Sequence, residues 1–374
     1  MPLPAARNWT GWLRAEWSPT PVRRLRSNLP DITDELFAVL RFVSEVPEAG
    51  KLLVKEHCAD ASETEIDERY TKVRACSRQA ENYYRAAQKL HYRSAALLYY
   101  YAFLNLAKAV LEVRGFVYDQ HHGLRDQRDS VSIDLAMQNV KILKRGVFPS
   151  LYEQEFQVSL PTSTSLDVRS LLAYASDIAY QYGQAGFGTC AVETDCRARV
   201  LVHQGNGQMW YVLAVPKGYE FADLPEPNKT TFTSSHQEVQ FPLIAARETF
   251  GLFAEQHAHH RYYESRPSST VTPPIALLYT PLRGFIEPKY IDDTYDFTLA
   301  KPLGMSGHPM NECLAIYLVM FFLGSLVRYR PDYLDSLLDT TAAWTLEGLV
   351  MSTPLTALRA FISKITGTVF IFNR

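Results

Sequence analysis

Three groups of side chains in this sequence have types and spacings that could do chemistry. Arg85 and His91 stand six residues apart in a stretch that reads as helical, beside Tyr83, Tyr84 and Tyr92. An arginine and an imidazole can cleave a phosphodiester without metal. The guanidinium stabilises the charged transition state, and the imidazole moves a proton near neutral pH. Similar spacings recur at Arg114 and His121 and at Arg197 and His203, so spacing alone selects none of the three. The second group is built on a helix ending near Gly115. At 100° per residue, Arg93, Tyr101, Asn105 and Lys108 fall on one side of it. His122 follows that helix closely, and Arg328 and Arg330 end a later apolar helix. Guanidinium groups suit bidentate capture of phosphate or carboxylate. The competing reading is internal pairing, of Lys108 with Glu112 and of Arg328 or Arg330 with Asp332 or Asp335. The third group holds metal-ligand types: His257, His259 and His260, and Cys190, Cys196 and His203. Neither set has zinc-site spacing. No metal and no cofactor is expected. There is no Gly-x-Ser-x-Gly, and Gly183–Gly188 is followed by no Lys-Ser/Thr, so nucleophile-elbow and phosphate-loop chemistry are excluded.

The elements that must position these groups are mainly helical. Asp31 opens a first helix with acids in its first turn, and Pro47 and Gly50 interrupt it. Residues 51–60 read as a strand or a short helix. The stretch from Thr64 to Arg114 reads as two helices. The second has Ala95, Leu98, Ala102, Leu106, Ala109 and Val113 as its core stripe, opposite a mixed face carrying Glu112, and Gly115 ends it. A strand is expected near Val131–Ile133, a turn at Gly146–Pro149, and a helix over 165–182 with Ser165 as its cap. The middle of the chain changes character. Arg199–His203 and Met209–Val215 alternate like strands around Gly205-Asn206-Gly207, a hairpin signal. Thr230–Thr233, Glu238–Phe241 and Ile275–Tyr279 read as further strands, and 244–262 as a helix between them. From Pro309 the helical pattern returns, ending in Pro354–Phe370. The fold class expected is therefore mainly α with a central β-containing section (α+β). Its parts are an irregular Trp/Pro-rich arm (1–30) that packs by Trp9, Trp12 and Trp17, an N-terminal helical region (31–183), the β-containing region (184–308), and a C-terminal helical region (309–374) packing on the N-terminal helices.

Composition bounds the class of function. The 374 residues are 47% hydrophobic and 21% charged with a formal charge of -2, which excludes a disordered chain, a collagen and a histone-like polybasic protein. Five scattered cysteines and a first segment without an apolar core imply a reducing, cytoplasmic setting. The longest apolar run, Cys313–Val327, is short of the roughly 20 residues of a bilayer span and reads as a buried helix, so no membrane partner is expected. Charge is uneven: residues 1–147 carry 22 Lys/Arg against 18 Asp/Glu, and the remainder 16 against 22. Nine of these bases lie between Arg69 and Arg114, against Glu81 and Glu112. Such a stretch could attract a polyanion, or be a solvated face balanced by the acidic run Glu63–Glu68.

An ordered set of segments goes further. Leu90–Gly115 holds Tyr99–Tyr101 and Lys108. His121–Asp129 contains His122-Gly123, Val140–Glu153 contains Gly146 and Phe148-Pro149, and Tyr317–Leu334 contains Arg328-Tyr329-Arg330-Pro331. This order resembles the YaaC-like family of prokaryotic proteins. The resemblance implies a bacterial, cytoplasmic protein of a mobile or defence locus, and it carries no catalytic residues over. The reading that follows is a binding or interaction protein. It presents a basic, Tyr-rich helical surface to RNA or DNA, a phosphorylated ligand or a protein partner, and a homo-oligomer is expected. The alternative is a metal-independent ribonuclease of the HEPN type, with Arg85 and His91 cooperating across a dimer.

Overall fold

The computed structural model describes residues 12–15, 22–25, 31–127, 132–161, 163–203, 205, 207–226, 228–239, 259–265, 282, 284–291, 294–303 and 307–372. In chain order the elements begin with β1 (Trp12–Ala15), β2 (Val22–Leu25), α1 (Ile32–Glu45), α2 (Pro47–His57), α3 (Glu63–Ala87) and α4 (Tyr92–Val113). Next come β3 (Leu124–Gln127), β4 (Asn139–Ile142), α5 (Val147–Phe156), β5 (Ser165–Asp167), α6 (Val168–Leu172) and α7 (Ala179–Gln184). The middle holds β6 (Val192–His203), β7 (Met209–Pro216), α8 (Asn228–Ser235), β8 (His236–Val239), β9 (His260–Ser265), β10 (Ile286–Ile291) and β11 (Thr294–Ala300). The chain closes with α9 (Glu312–Tyr329), α10 (Pro331–Leu338), α11 (Ala342–Thr366) and β12 (Val369–Phe372). The protein is mainly α with a β-containing section, as its patterning predicts.

It divides into two compact units. One comprises residues 1–19 and 191–310, the other 20–190 and 311–374. The first unit is an antiparallel sheet in the order β10-β11-β6-β7-β9-β8, with β1 also on β6. The expected hairpin is present: β6 and β7 pair from Arg197 with Ala214 to Val202 with Met209. One face buries Leu213, Val215, Tyr219, Phe232, Phe285 and Phe297.

The second unit is helical and centred on α4. Local chemistry sets its helix ends. Asp31 caps α1 by accepting the Thr33 N–H at 2.8 Å. Ser62 and Glu65 form a reciprocal capping box on α3. Gly115, at φ +75°, stops α4 in the left-handed conformation that glycine adopts without strain. Around α4 pack α3, α5, α9 and α11. Both α4 and α9 are long and apolar enough to span a bilayer, and most of each is buried inside this unit. The late apolar run is thus a buried helix, as expected.

The expected core stripe of α4 is buried at Ala95, Ala102, Leu106, Ala109 and Val113, and enclosure by four neighbours departs from the amphipathic reading at three positions. Asn105 and Glu112, placed on the mixed face, are buried, while Leu98 of the expected stripe is half-exposed. Tyr317 of α9 is wholly buried between Tyr100 and Phe148, and its hydroxyl has no hydrogen-bond partner among the described residues. A buried unsatisfied hydroxyl costs about 1–3 kcal/mol. Tyr317→Phe is therefore expected to raise the urea midpoint, by a stability gain of about 1 kcal/mol.

Several local expectations are corrected. Residues 165–182 are not one helix, because Ser165–Asp167 pairs with β4. Asp167 rather than Ser165 then caps the following helix, accepting the Ser170 N–H at 2.7 Å. Thr230–Thr233 lies in α8, where the Thr233 and Ser235 hydroxyls donate to the carbonyls of Lys229 and Thr231. Of the two alternatives expected for 51–60, the short helix is the one present, over 51–57. Gly146–Pro149 is the start of α5 rather than a free turn, and Ser132–Ile133 is no strand. Within 244–262, His260–Tyr262 begins β9, and 244–258 lie outside the described residues. The last stretch is not helical to Phe370: α11 ends at Thr366, and Phe370 belongs to β12. The arm contains two strands, β1 on β6 and β2 parallel to β12. Trp9, Trp17, Asn206, His257 and Ile275–Tyr279 lie outside the described residues.

Candidate functional site

The basic run on α3 and α4 is largely neutralised, though not by the acidic run Glu63–Glu68 just before it. Arg74 and Arg78 both hold Glu45, with Arg78 bidentate at 2.6 Å. Arg85 bridges Asp34 and Glu81, each at 2.8 Å. Arg69 and Lys72 converge on the buried Glu112 at 3.3 and 3.5 Å. Arg93 meets Asp335, 242 residues away, at 2.7 Å. The run Glu63–Glu68 spends Glu63 on Lys55 and Asp67 on Lys51 instead.

The place where basic and aromatic groups meet without such neutralisation is a cleft of about 490 Å³ between α4, α9 and the start of β3. Tyr101, His122 and Arg328 of the predicted set line it, together with Tyr100, Arg125, Asp126, Phe321, Ser325 and Tyr329. Gly324 sets its depth. A Cβ there would lie 3.3 Å from Leu97 Cα, so α9 approaches α4 closely and the cleft opens beside that contact. The guanidinium of Arg328, in the last turn of α9, donates to the Tyr101 hydroxyl at 3.1 Å and stacks 4.9 Å over the Tyr329 ring. Tyr101 is backed by Tyr83 of α3, with ring centroids 5.4 Å apart. Among the described residues neither Arg328 nor Arg125 has a carboxylate partner. One carboxylate lines the cleft, Asp126, which accepts from the Ser325 hydroxyl at 2.9 Å.

His122 is fixed by its turn. Its Nδ1 accepts the Leu124 N–H at 3.0 Å, which leaves the ring proton on Nε2. Burial, and secondarily the neighbouring His121, pushes its pKa below the usual histidine value, so near neutrality it is an uncharged N–H donor. The turn itself is held by two glycines. Val147 and Phe148 donate their backbone N–H groups to the carbonyls of His121 and His122, and the Leu143 N–H donates to Gly123. Gly123 and Gly146 pack backbone to backbone. The His-Gly and Gly-x-Phe-Pro segments, separate in sequence, are one structural device that sets the His122 ring against Phe321 at 5.2 Å.

The remaining predicted residues go elsewhere. Asn105 is buried and donates to the Tyr101 carbonyl of its own helix at 2.8 Å. Lys108 lies near Cys76, whose thiol burial pushes up to about 11, and the expected Lys108–Glu112 pair gives way to Arg69 and Lys72. Arg330 pairs with Asp332 at 3.2 Å, as the competing reading expected. Arg85 lies over the Phe37 ring while holding its two acids. His91 caps α4, its Nδ1 accepting the Arg93 N–H at 3.4 Å. Arg125, Ser325 and Phe321 are not selected by the sequence, and Tyr329 enters there only through the Arg-Tyr-Arg-Pro motif, not as a site residue. Tyr329, between two selected arginines, carried the only signal. Among the described residues no three His, Cys, Asp or Glu side chains are grouped to hold a metal ion.

A central, mostly buried α4, a glycine-locked His-Gly turn and a late apolar helix ending in Arg-Tyr-Arg-Pro define a helical protein with a tyrosine- and arginine-lined cleft. The family model described as YaaC-like Protein matches residues 42–365, and the chain belongs to that family. No curated protein and no solved structure matches it.

Proposed function

We propose that this YaaC-like protein binds a phosphorylated, base-bearing ligand in the α4–α9 cleft, namely a nucleotide unit of single-stranded RNA or DNA. One observation carries the reading. The guanidinium of Arg328 faces the cleft held by a tyrosine hydroxyl instead of a carboxylate, whereas Arg69, Arg74, Arg78, Arg85 and Arg93 of the α3–α4 run are ion-paired. A guanidinium so placed retains donors for phosphate oxygens. Tyr329, 61% exposed, offers a ring for a base, and base–aromatic stacking is worth about 1–3 kcal/mol. Neutral His122 adds one N–H donor. The volume falls in the range of small-molecule sites, roughly 300–1,000 Å³, and suits one nucleotide rather than a duplex.

The test is fluorescence anisotropy with a labelled tetranucleotide at fixed salt. Arg328→Ala removes a charge-assisted hydrogen bond of about 1.5–3 kcal/mol and should weaken binding roughly 10- to 100-fold. Arg93→Ala, whose side chain is spent on Asp335, should not. Equal losses in both variants would reduce the cleft to general electrostatics, and no binding by the wild-type protein would sink the reading.

A further inference from the structure

A second groove, of about 350 Å³, runs between α1 and α3 on the same helical unit and shares no residue with the cleft. Its wall is charged with both signs, but donors and acceptors are not balanced. Glu45 is occupied: its two oxygens accept three N–H groups, from Arg74 and from the bidentate Arg78. Glu81 accepts from Arg85 and lies 3.8 Å from Arg41 Nε. The donors are in surplus. Arg41, whose side chain is 52% exposed, spends only its Nε, on the Phe37 carbonyl at 3.3 Å and on that distant Glu81. Its two terminal nitrogens, and the exposed amide of Asn82, have no partner among the described residues. At the floor Ser77 is 2% exposed, and its hydroxyl has no partner among the described residues. One rotatable bond carries that hydroxyl.

A groove whose carboxylates are occupied while a guanidinium, an amide and a hydroxyl remain as donors recognises a ligand rich in acceptors and poor in donors. We infer that the α1–α3 groove is a binding site for a phosphate-type oxyanion, with Arg41 and Asn82 as its outer donors and Ser77 at its floor. This inference does not rest on the nucleotide reading of the cleft. Glu45 and Glu81 fix the rim: by holding Arg74, Arg78 and Arg85 they keep those guanidiniums from closing over the groove and cancel their charge. Recognition is therefore by directed hydrogen bonds more than by net field.

The test uses the full chain carrying Arg328→Ala, so that the cleft is silenced, titrated with inorganic phosphate by isothermal calorimetry. Saturable one-site binding is expected, weakened at least fivefold by Arg41→Gln and by Asn82→Ala. Ser77→Ala should also weaken it, while raising the melting temperature of the unliganded protein, because a buried unpaired hydroxyl is removed. Absence of saturable phosphate binding in the Arg328→Ala protein overturns the proposal. So does binding indifferent to Arg41→Gln and Asn82→Ala. A lower melting temperature in Ser77→Ala would mean that the hydroxyl serves the fold, and would remove the floor from the site.

Discussion

Gly146→Ala is expected to cost the helical unit about 4 kcal/mol, combining backbone strain with overpacking. Gly146 sits at φ 124° and ψ -176°, a region essentially reserved for glycine. An added Cβ would also fall 2.4 Å from Gly123 Cα, 2.5 Å from Gly123 N and 2.8 Å from the His121 carbonyl. These are backbone atoms, so no side chain can rotate away. Relief must come from separating the His-Gly turn from the start of α5, which breaks the two hydrogen bonds from Val147 and Phe148. Gly186→Ala is the matched control. Its φ of +77° is also left-handed, but nothing lies within 4 Å of the added Cβ. That variant should lose only the intrinsic cost of the left-handed conformation, about 1 kcal/mol. Urea unfolding of the two variants checks the difference. Equal losses would mean that the Gly123–Gly146 contact relaxes freely. Because the same contact orients His122, Gly146→Ala should also alter the His122 imidazole resonances in whatever protein remains folded.

What was legible in the sequence was whatever short-range chemistry decides. Asp31 starts α1, Gly115 stops α4, and Gly205 and Gly207 flank the turn between β6 and β7, because caps and turns involve partners a few residues away. The apolar run of α9 was legible as a buried helix because almost every side chain in it is apolar. The convergence of Tyr101, His122 and Arg328 followed from supposing that α9 packs on α4. The rest depended on which face met which neighbour. Arg93 and Lys108 share a side of α4, yet Asp335 takes Arg93 across 242 residues, and Glu112, one turn from Lys108, is taken by Arg69 and Lys72. Periodicity puts Glu112 on the mixed face because it counts apolar residues, and it cannot see that α3 delivers a guanidinium and an ammonium to that spot. Ser165 ahead of an apolar-periodic run reads as an N-cap, and the strand over Ser165–Asp167 is imposed by β4, which local sequence does not show. Arg125, Ser325 and Phe321 were invisible because their role exists only where α9 leaves a gap beside Gly324.

Glu112 carries the other large effect. Its carboxylate is 3% exposed and receives Arg69 at 3.3 Å, Lys72 at 3.5 Å and the Tyr118 hydroxyl at 3.0 Å. Beside it, Arg69 also donates to the Gly115 carbonyl at 3.3 Å. Lys72 is 55% exposed and can return to solvent, so little of the energy lies there. Arg69 is only 22% exposed, and the burial and negative charge around Tyr118 hold its hydroxyl protonated. Glu112→Ala therefore leaves one half-buried cation and one buried donor facing a cavity, and should cost about 3 kcal/mol, the lower end for breaking a buried pair. Glu112→Gln keeps an acceptor oxygen for Arg69, and its NH2 can donate to the Tyr118 hydroxyl once that hydroxyl turns its own proton away, so its cost should be about half as great. Replacing the pair together, as Glu112→Leu with Arg69→Met, should recover most of the loss, since the penalty comes from the orphaned partner rather than from the missing attraction. A double-mutant cycle in urea reads the coupling directly. Additive losses would show that Arg69 and Glu112 are independent and that α3 is held on α4 by apolar packing alone. A strong coupling would make this pair the lock that keeps Tyr83 behind Tyr101. The cleft's arginine, held by Tyr101, would then owe its position to a carboxylate that never touches it.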